Sequence, residues 1–152
     1  MIVIAAADLD IMARAAEAAY PRECCGLIVG HRDVGDWWVE RVDASANLAP
    51  SDRDDRFEVD PAMRLQLQRE LRAGPHDIIG HYHSHPDGPA APSPTDRASI
   101  WERDLVWVII SVARGRLAEI AAHRVVEGRN GRDFEAIAIR GRATLDRAPR
   151  SR

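Results

Sequence analysis

The stretch GHYHSHPDGPAAPSPTD, residues 80–96, sets His81, His83 and His85 at alternate positions and ends on Asp96. In a strand alternate side chains share a face, so the three imidazoles converge while Tyr82 and Ser84 point the other way. Imidazole and carboxylate are the usual ligands of catalytic zinc, which takes three protein ligands and keeps a fourth position for water. His83, His85 and Asp96 could supply that set. His81, one pleat further back, could be a ligand, a supporting residue or a bystander. A plainer account exists. SPTD is a capping box, with Ser93 as N-cap, Pro94 in the first turn and an acid three residues on. A lone His-x-His in a strand more often faces solvent or is satisfied by hydrogen bonds. The accounts are compatible, because a helix N-terminus is a rigid mount from which Asp96 could face the imidazoles with the Ser93 hydroxyl beside them.

Other metal signatures fit worse. Pro86 and Asp87 follow His85 where the metallo-β-lactamase pattern needs Asp-His, no His-Glu-x-x-His occurs, and the Cys-x-x-Cys pair of the nucleobase deaminases is missing.

The elements that must carry these residues are partly legible. Ile2 to Ala5 reads as a short edge strand, and Leu9, Met12, Ala13, Ala16 and Tyr20 recur at helical spacing from about Asp8 until Pro21. CGLIVG and DWWVERVDA (Asp36 to Ala44) read as two strands paired through a hairpin at HRDVGD. Asn47 to Arg56 is a polar surface loop, and FEVD after it a short strand. Asp60 as N-cap, Pro61 at the first helical position, Met63, Leu67 and Leu71 on one face and Gly74-Pro75 at the end mark a helix at both termini. DIIGHYHSHP is a strand and SPTDRASIWERD a helix, followed by strands in LVWVIISVA, LAEIAAHRVV and DFEAIAIR. Strands outnumber helices and many connections are of hairpin length. The expected fold is therefore α/β or α+β, a mixed sheet layered with helices.

With 152 residues the chain is long enough for one domain with a continuous core. Residues 141–152 carry four arginines, one acid and no apolar pattern, and are expected to form a tail. A net charge of −3 with both signs mixed offers no electrostatic ground for a nucleic-acid partner. The N-terminus lacks a basic segment and a long apolar run, and Leu105 to Ala113 is half of what a bilayer requires, so neither secretion nor membrane insertion is expected. Cys24 and Cys25 are adjacent, a poor geometry for a relaxed disulfide, and a cytoplasmic location with reduced thiols follows.

HSHP followed by PSPTD, with PRECCG sixty residues upstream, closely resembles the JAMM/MPN+ zinc metallopeptidases of the compact prokaryotic type. That pattern is a Glu, then His-Ser/Thr-His-Pro, seven residues from the second His to a Ser, two more, and Asp. Glu23, His83, Ser84, His85, Pro86, Ser93 and Asp96 occupy those positions. The resemblance covers residues 1 to about 140 and implies a mostly antiparallel sheet with flanking helices, layered as in cytidine deaminase. It implies zinc on His83, His85 and Asp96, Glu23 as general base and Ser93 as oxyanion donor. It implies cleavage after the C-terminal Gly of a ubiquitin-like protein. A chain without room for long insertions suits a sulfur carrier, whose tail would lie in a groove formed in part by the 47–56 loop. The alternative is a scaffold that uses the same fold for interaction only. Cys25 could be a ligand, a nucleophile or a small packing residue, and one of Trp37 and Trp38 could face a partner. His31, His76 and His123 lie outside any constellation.

Overall fold

The computed structural model describes residues 1–52 and 54–142. Eight strands and three helices follow in the order β1 (Ile2–Ala5), α1 (Ala6–Ala19), β2 (Cys25–Asp33), β3 (Asp36–Ser45), α2 (Pro61–Leu71), β4 (Asp77–Pro86), α3 (Pro94–Ala98), β5 (Val106–Ala113), β6 (Arg116–Gly128), β7 (Gly131–Ile137) and β8 (Ile139–Arg142). The strands form one sheet in the order β7-β6-β5-β4-β2-β3-β1-β8. The β2/β3, β2/β4, β5/β6 and β6/β7 pairs are antiparallel, and β1/β3, β1/β8 and β4/β5 are parallel. This is the mixed, mostly antiparallel sheet with helices that the strand-rich pattern implies. Strands β7 and β8 lie at opposite ends of the order, yet only Ala138 separates them, and its carbonyl accepts from the Ile2 amide at 2.9 Å. The sheet must therefore curl until its two edges are neighbours.

Turn chemistry sets two of the hairpins. Val34-Gly35 and Arg114-Gly115 carry positive φ at both central residues (48° and 85°, 52° and 82°), the two-residue geometry whose twist matches that of the flanking strands. The sheet is buried on both faces at its centre, and β2 displays the alternation. Ile28 packs with Ile2, Met12, Tyr82 and Val108 under α1, whereas Leu27 and Val29 pack with Leu67 of α2. The unbroken apolar run of β2 follows from this double coverage. Tyr82 belongs to the α1 face, and Leu27 pairs with His81 in register, so His81, His83 and His85 stand on the α2 face.

Several expected boundaries differ. Strand β1 is not an edge strand: it lies between β3 and β8, because the chain end returns to cover it. DFEAIAIR divides at Ala138 into β7 and β8, and β8 takes up Gly141 and Arg142, two residues assigned to the tail; the remaining tail residues, 143–152, lie outside those described. FEVD forms only an isolated bridge, Val59 with Asn47, because side-chain oxygens of Asn47 and Ser45 take the Glu58 and Asp60 amides in place of a strand partner. Helix α3 is five residues long instead of continuing through Asp104, and Ile100 and Leu105 beyond it are buried in irregular chain. Trp37 is buried with its Nε1 donating to the Asp104 carbonyl at 3.1 Å, while Trp38 is half-buried beside His31. Among the described residues no helix is long and apolar enough to cross a membrane.

Gly80 begins the histidine-bearing part of β4 and faces Val106 across the parallel β4/β5 pair. A Cβ there would stand 2.3 Å from the Val106 carbonyl oxygen, a backbone atom that cannot turn aside. Gly80→Ala should destabilise the fold by about 1–3 kcal/mol through overpacking. At roughly 2–4 °C per kcal/mol for a chain of this size, calorimetry should find Tm lowered by about 2–12 °C.

Candidate metal centre

The antiparallel β2/β4 pairing brings distant parts of the sequence together. Cys25 is opposite His83, and just beyond the paired residues the Ser84 amide donates to the Cys24 carbonyl at 3.1 Å while the Cys24 amide donates to Ser84 Oγ at 2.8 Å. This double tie lays Glu23 beside the end of β4. The third contributor arrives with α3. Ser93 caps that helix, its Oγ accepting from the Asp96 amide at 3.0 Å, and its own amide donates to Asp96 Oδ2 at 2.8 Å. The capping box is therefore compatible with Asp96 facing His83 and His85.

His83 Nε2 and His85 Nε2 are 3.1 Å apart, Asp96 Oδ1 is 3.1 Å from the first and Asp96 Oδ2 3.1 Å from the second. Glu23 Oε1 is 3.9 Å from His85 Nε2, and donor atoms of Glu23, His83 and His85 lie within 4.8 Å of one another, a group able to hold a metal ion. Glu23, His83 and Asp96 are buried, and His85 is half-buried. His85 Nδ1 sits 2.9 Å from the Pro89 carbonyl. A carbonyl only accepts, so Nδ1 carries the hydrogen and the Nε2 lone pair is left for the cluster. The His83 ring stacks on Phe57 with centroids 4.2 Å apart, and its Nδ1 is buried without a hydrogen-bond partner.

The electrostatics follow from burial and crowding. Burial pushes the Glu23 carboxyl up to about 8, with His85 pulling it part of the way back. Burial would raise Asp96 as well, but hydrogen bonds to His83 and His85 outweigh it and hold the carboxyl well below its ordinary range. Burial lowers His83. For His85 burial is opposed by the Asp96 hydrogen bond and the Pro89 carbonyl, which together raise it.

His81 stands apart from the cluster. It is boxed by Trp107, edge-on at 4.1 Å, and Phe57 at 5.6 Å, and burial pushes it down to about 3, so the ring is neutral. Cys25 points its thiol at the Ala46 and Glu58 carbonyls, 3.7 and 3.8 Å away, and burial raises it to about 12. Burial and these carbonyl contacts are those of a packing thiol. His31, near the far end of β2, and His76, just before β4, are stacked on each other at 6.0 Å.

Two cavities open on the cluster and share Glu23 and Asp55. One, of about 560 Å³, is walled by Phe57, His81, Trp101, Leu105 and Trp107 and reaches Asp96; the other, of about 460 Å³, holds His85, Pro89 and Ser93. The 47–56 loop contributes Ala49, Pro50, Asp55 and Arg56 to the first and Asp54 and Asp55 to the second.

Residues 5–125 match the family model described as prokaryotic homologs of the JAB domain. The chain belongs to this family of JAMM-type peptidases. A desampylase of Haloferax volcanii is 31% identical over 105 residues, 67% of this chain and 73% of that protein. A CysO-cysteine peptidase of Mycobacterium tuberculosis is 26% identical over 129 residues, 84% of this chain and 85% of the relative. The solution structure of a Desulfitobacterium hafniense protein superposes with a TM-score of 0.75 at 31% identity, covering 93% of this chain and 94% of the other. The matches to two further curated relatives span 40% and 47% of those proteins.

Ser84 carries more than its place in the motif suggested. It is fully buried, and its hydroxyl is the acceptor for the amide that follows Glu23. A small hydroxylated residue between two histidines on the opposite face of the strand was the available signal. Ser84→Ala should leave the Cys24 amide buried without an acceptor, at a cost of about 1–3 kcal/mol. Urea denaturation should show a lowered midpoint with an unchanged m-value.

Proposed function

We propose that this JAMM-type peptidase is zinc-dependent and hydrolyses the bond after the C-terminal Gly of a ubiquitin-like protein, of the sulfur-carrier kind by resemblance to the compact bacterial members. The observation that carries the reading is the trio of donors at 3.1 Å separations with a buried carboxyl alongside. Tetrahedral ligands about 2.0–2.1 Å from zinc stand roughly 3.3–3.4 Å from one another. The separations between His83, His85 and Asp96 are close to that, and His85 already has its outer nitrogen committed to a carbonyl. The residues present fit the metal, with His83, His85 and Asp96 as its holders. When bound, zinc supplies Lewis acidity and lowers the pKa of a water to about 7.

The chain's own residues supply the rest. Glu23, buried and 3.9 Å from His85, is raised by burial, and the positive charge of a bound metal would draw it back to the carboxylate that takes a proton from the attacking water and returns it to the leaving amine. Ser93 Oγ accepts from the Asp96 amide and keeps its own hydrogen, which it donates to the oxyanion as the carbonyl carbon becomes tetrahedral. The ends of the substrate occupy the two cavities that meet at Glu23. Residues 1 to about 140 act as one catalytic domain. The names of the curated relatives, desampylase and CysO-cysteine peptidase, support a peptidase acting on such a tail. Two free, buried cysteines support a reducing, cytoplasmic setting.

Elemental analysis should find one zinc per chain in the wild type and little in His83→Ala or Asp96→Ala. Two probes test the chemistry: a peptide ending in Gly-Gly joined to the α-amine of cysteine, and the same peptide joined to the ε-amine of lysine. Mass spectrometry should detect release of the Gly-Gly terminus from at least one. Glu23→Ala should keep its zinc and lose about 10²–10⁴-fold in turnover. Zinc-loaded wild type that cleaves neither probe would favour the scaffold, and a Glu23→Ala variant as fast as wild type would remove Glu23 from the mechanism.

A further inference from the structure

The wall of the larger cavity hangs on one side chain. Asn47 follows β3 and opens the segment that contributes Ala49, Arg56, Phe57, Glu58 and Val59 to that wall. Its amide uses its whole bonding capacity. Nδ2 donates to the carbonyls of Glu23 and Arg56, and Oδ1 accepts from the amides of Ala49 and Glu58, all four at 3.0 Å. Two carbonyls on one side and two amides on the other admit only one orientation of the group.

Glu23 belongs to no helix or strand, so its placement depends on ties from outside. Ser84 holds the backbone on its C-terminal side and Asn47 holds its own carbonyl. Arg22 adds a parallel tie, with Nη2 donating to the Ala49 carbonyl at 3.2 Å. Asn47 therefore touches both the backbone of the buried carboxylate and the cavity wall.

We propose that Asn47 is a positioning residue: it locks the backbone of Glu23 to the wall of the cavity that receives the substrate, so that base and wall are aligned as one unit. The inference rests on the reading of Glu23 as general base. Asn47 bonds to none of His83, His85 and Asp96, and its nearest link to them runs through Phe57, which stacks on His83 and whose neighbours Arg56 and Glu58 it holds, so zinc is measured in every variant. A shift of the base by a fraction of an ångström to 1 Å is enough to lose up to about a hundredfold in rate.

The test compares Asn47→Asp and Asn47→Ala with the wild type on the two Gly-Gly probes, with zinc measured in each protein. Asp keeps the two acceptor roles, loses both donor roles and sets a carboxylate against the Glu23 and Arg56 carbonyls. It should lower kcat about ten- to a hundredfold with KM changed less than about threefold, whereas Ala, which releases the wall as well, should also raise KM. Zinc per chain should equal that of the wild type in both. A folded Asn47→Asp protein with wild-type kcat overturns the proposal, as does a loss of rate that tracks loss of zinc. If the wild type cleaves neither probe, the reading of the function fails on its own terms, and amide exchange decides the clamp. Faster exchange confined to residues 23–25 and 47–59 in Asn47→Ala upholds it, and unchanged protection there overturns it.

Discussion

Two imidazole nitrogens and a carboxylate, every one 3.1 Å from its neighbours, cannot all turn lone pairs inward at a buried point unless a proton or a metal sits among them. The rest of the molecule is arranged around that crowding. Asp96 is fixed by its own helix cap, His85 by the Pro89 carbonyl, and His83 by the Phe57 ring and complete burial. No member of the trio is free to swing away and relieve the repulsion. Relief of the crowding therefore falls to a proton or a metal ion between the donors and not to rearrangement of the protein.

Rigidity of this kind requires the donors to come from elements already pinned elsewhere. Strand β4 is held between β2 and β5 and buried on both faces, with Tyr82 under α1 and the histidines on the side of α2. The loop after it is clamped at several points. The Asp87 carboxylate accepts from the Tyr20 hydroxyl at 2.5 Å and the Arg114 amide at 2.8 Å, and the Gly88 carbonyl accepts from Ser111 Oγ at 2.6 Å. Those ties hold Pro89 where His85 needs an acceptor. Residues outside the motif, from the C-cap of α1, from β5 and from the β5/β6 turn, therefore define a hydrogen bond inside it.

Local patterns in the sequence were sufficient for most elements and insufficient for their arrangement. Alternation and turn residues located β2, β3, β4 and β5, and the Asp60-Pro61 cap located α2. Nothing local says that Ile139–Arg142 leaves β7 to run beside β1, because that choice is decided by the curl of the whole sheet. The end of α3 was equally hidden. Ser99 to Asp104 is compatible with a helix by composition, but the chain buries Ile100 and Leu105 and enters β5 through irregular backbone instead. Loop contacts were the least legible, since Asn47 in a polar stretch looks like any turn residue until its four partners are known.

The three histidines show where a periodic signal stops. A period of two puts His81, His83 and His85 on one face with equal standing, and no further information about depth is contained in it. Depth is set by what packs across that face. The first turn of α3 lies over the C-terminal end of β4, so Asp96 meets His83 and His85, while Phe57 and Trp107 close around His81 and exclude a carboxylate from it. The same ring type on the same face is therefore a polar donor at two positions and a neutral aromatic wall at the third. The interval from His85 to Asp96 contains the distinction, because it fixes how far back along the strand the carboxylate can reach.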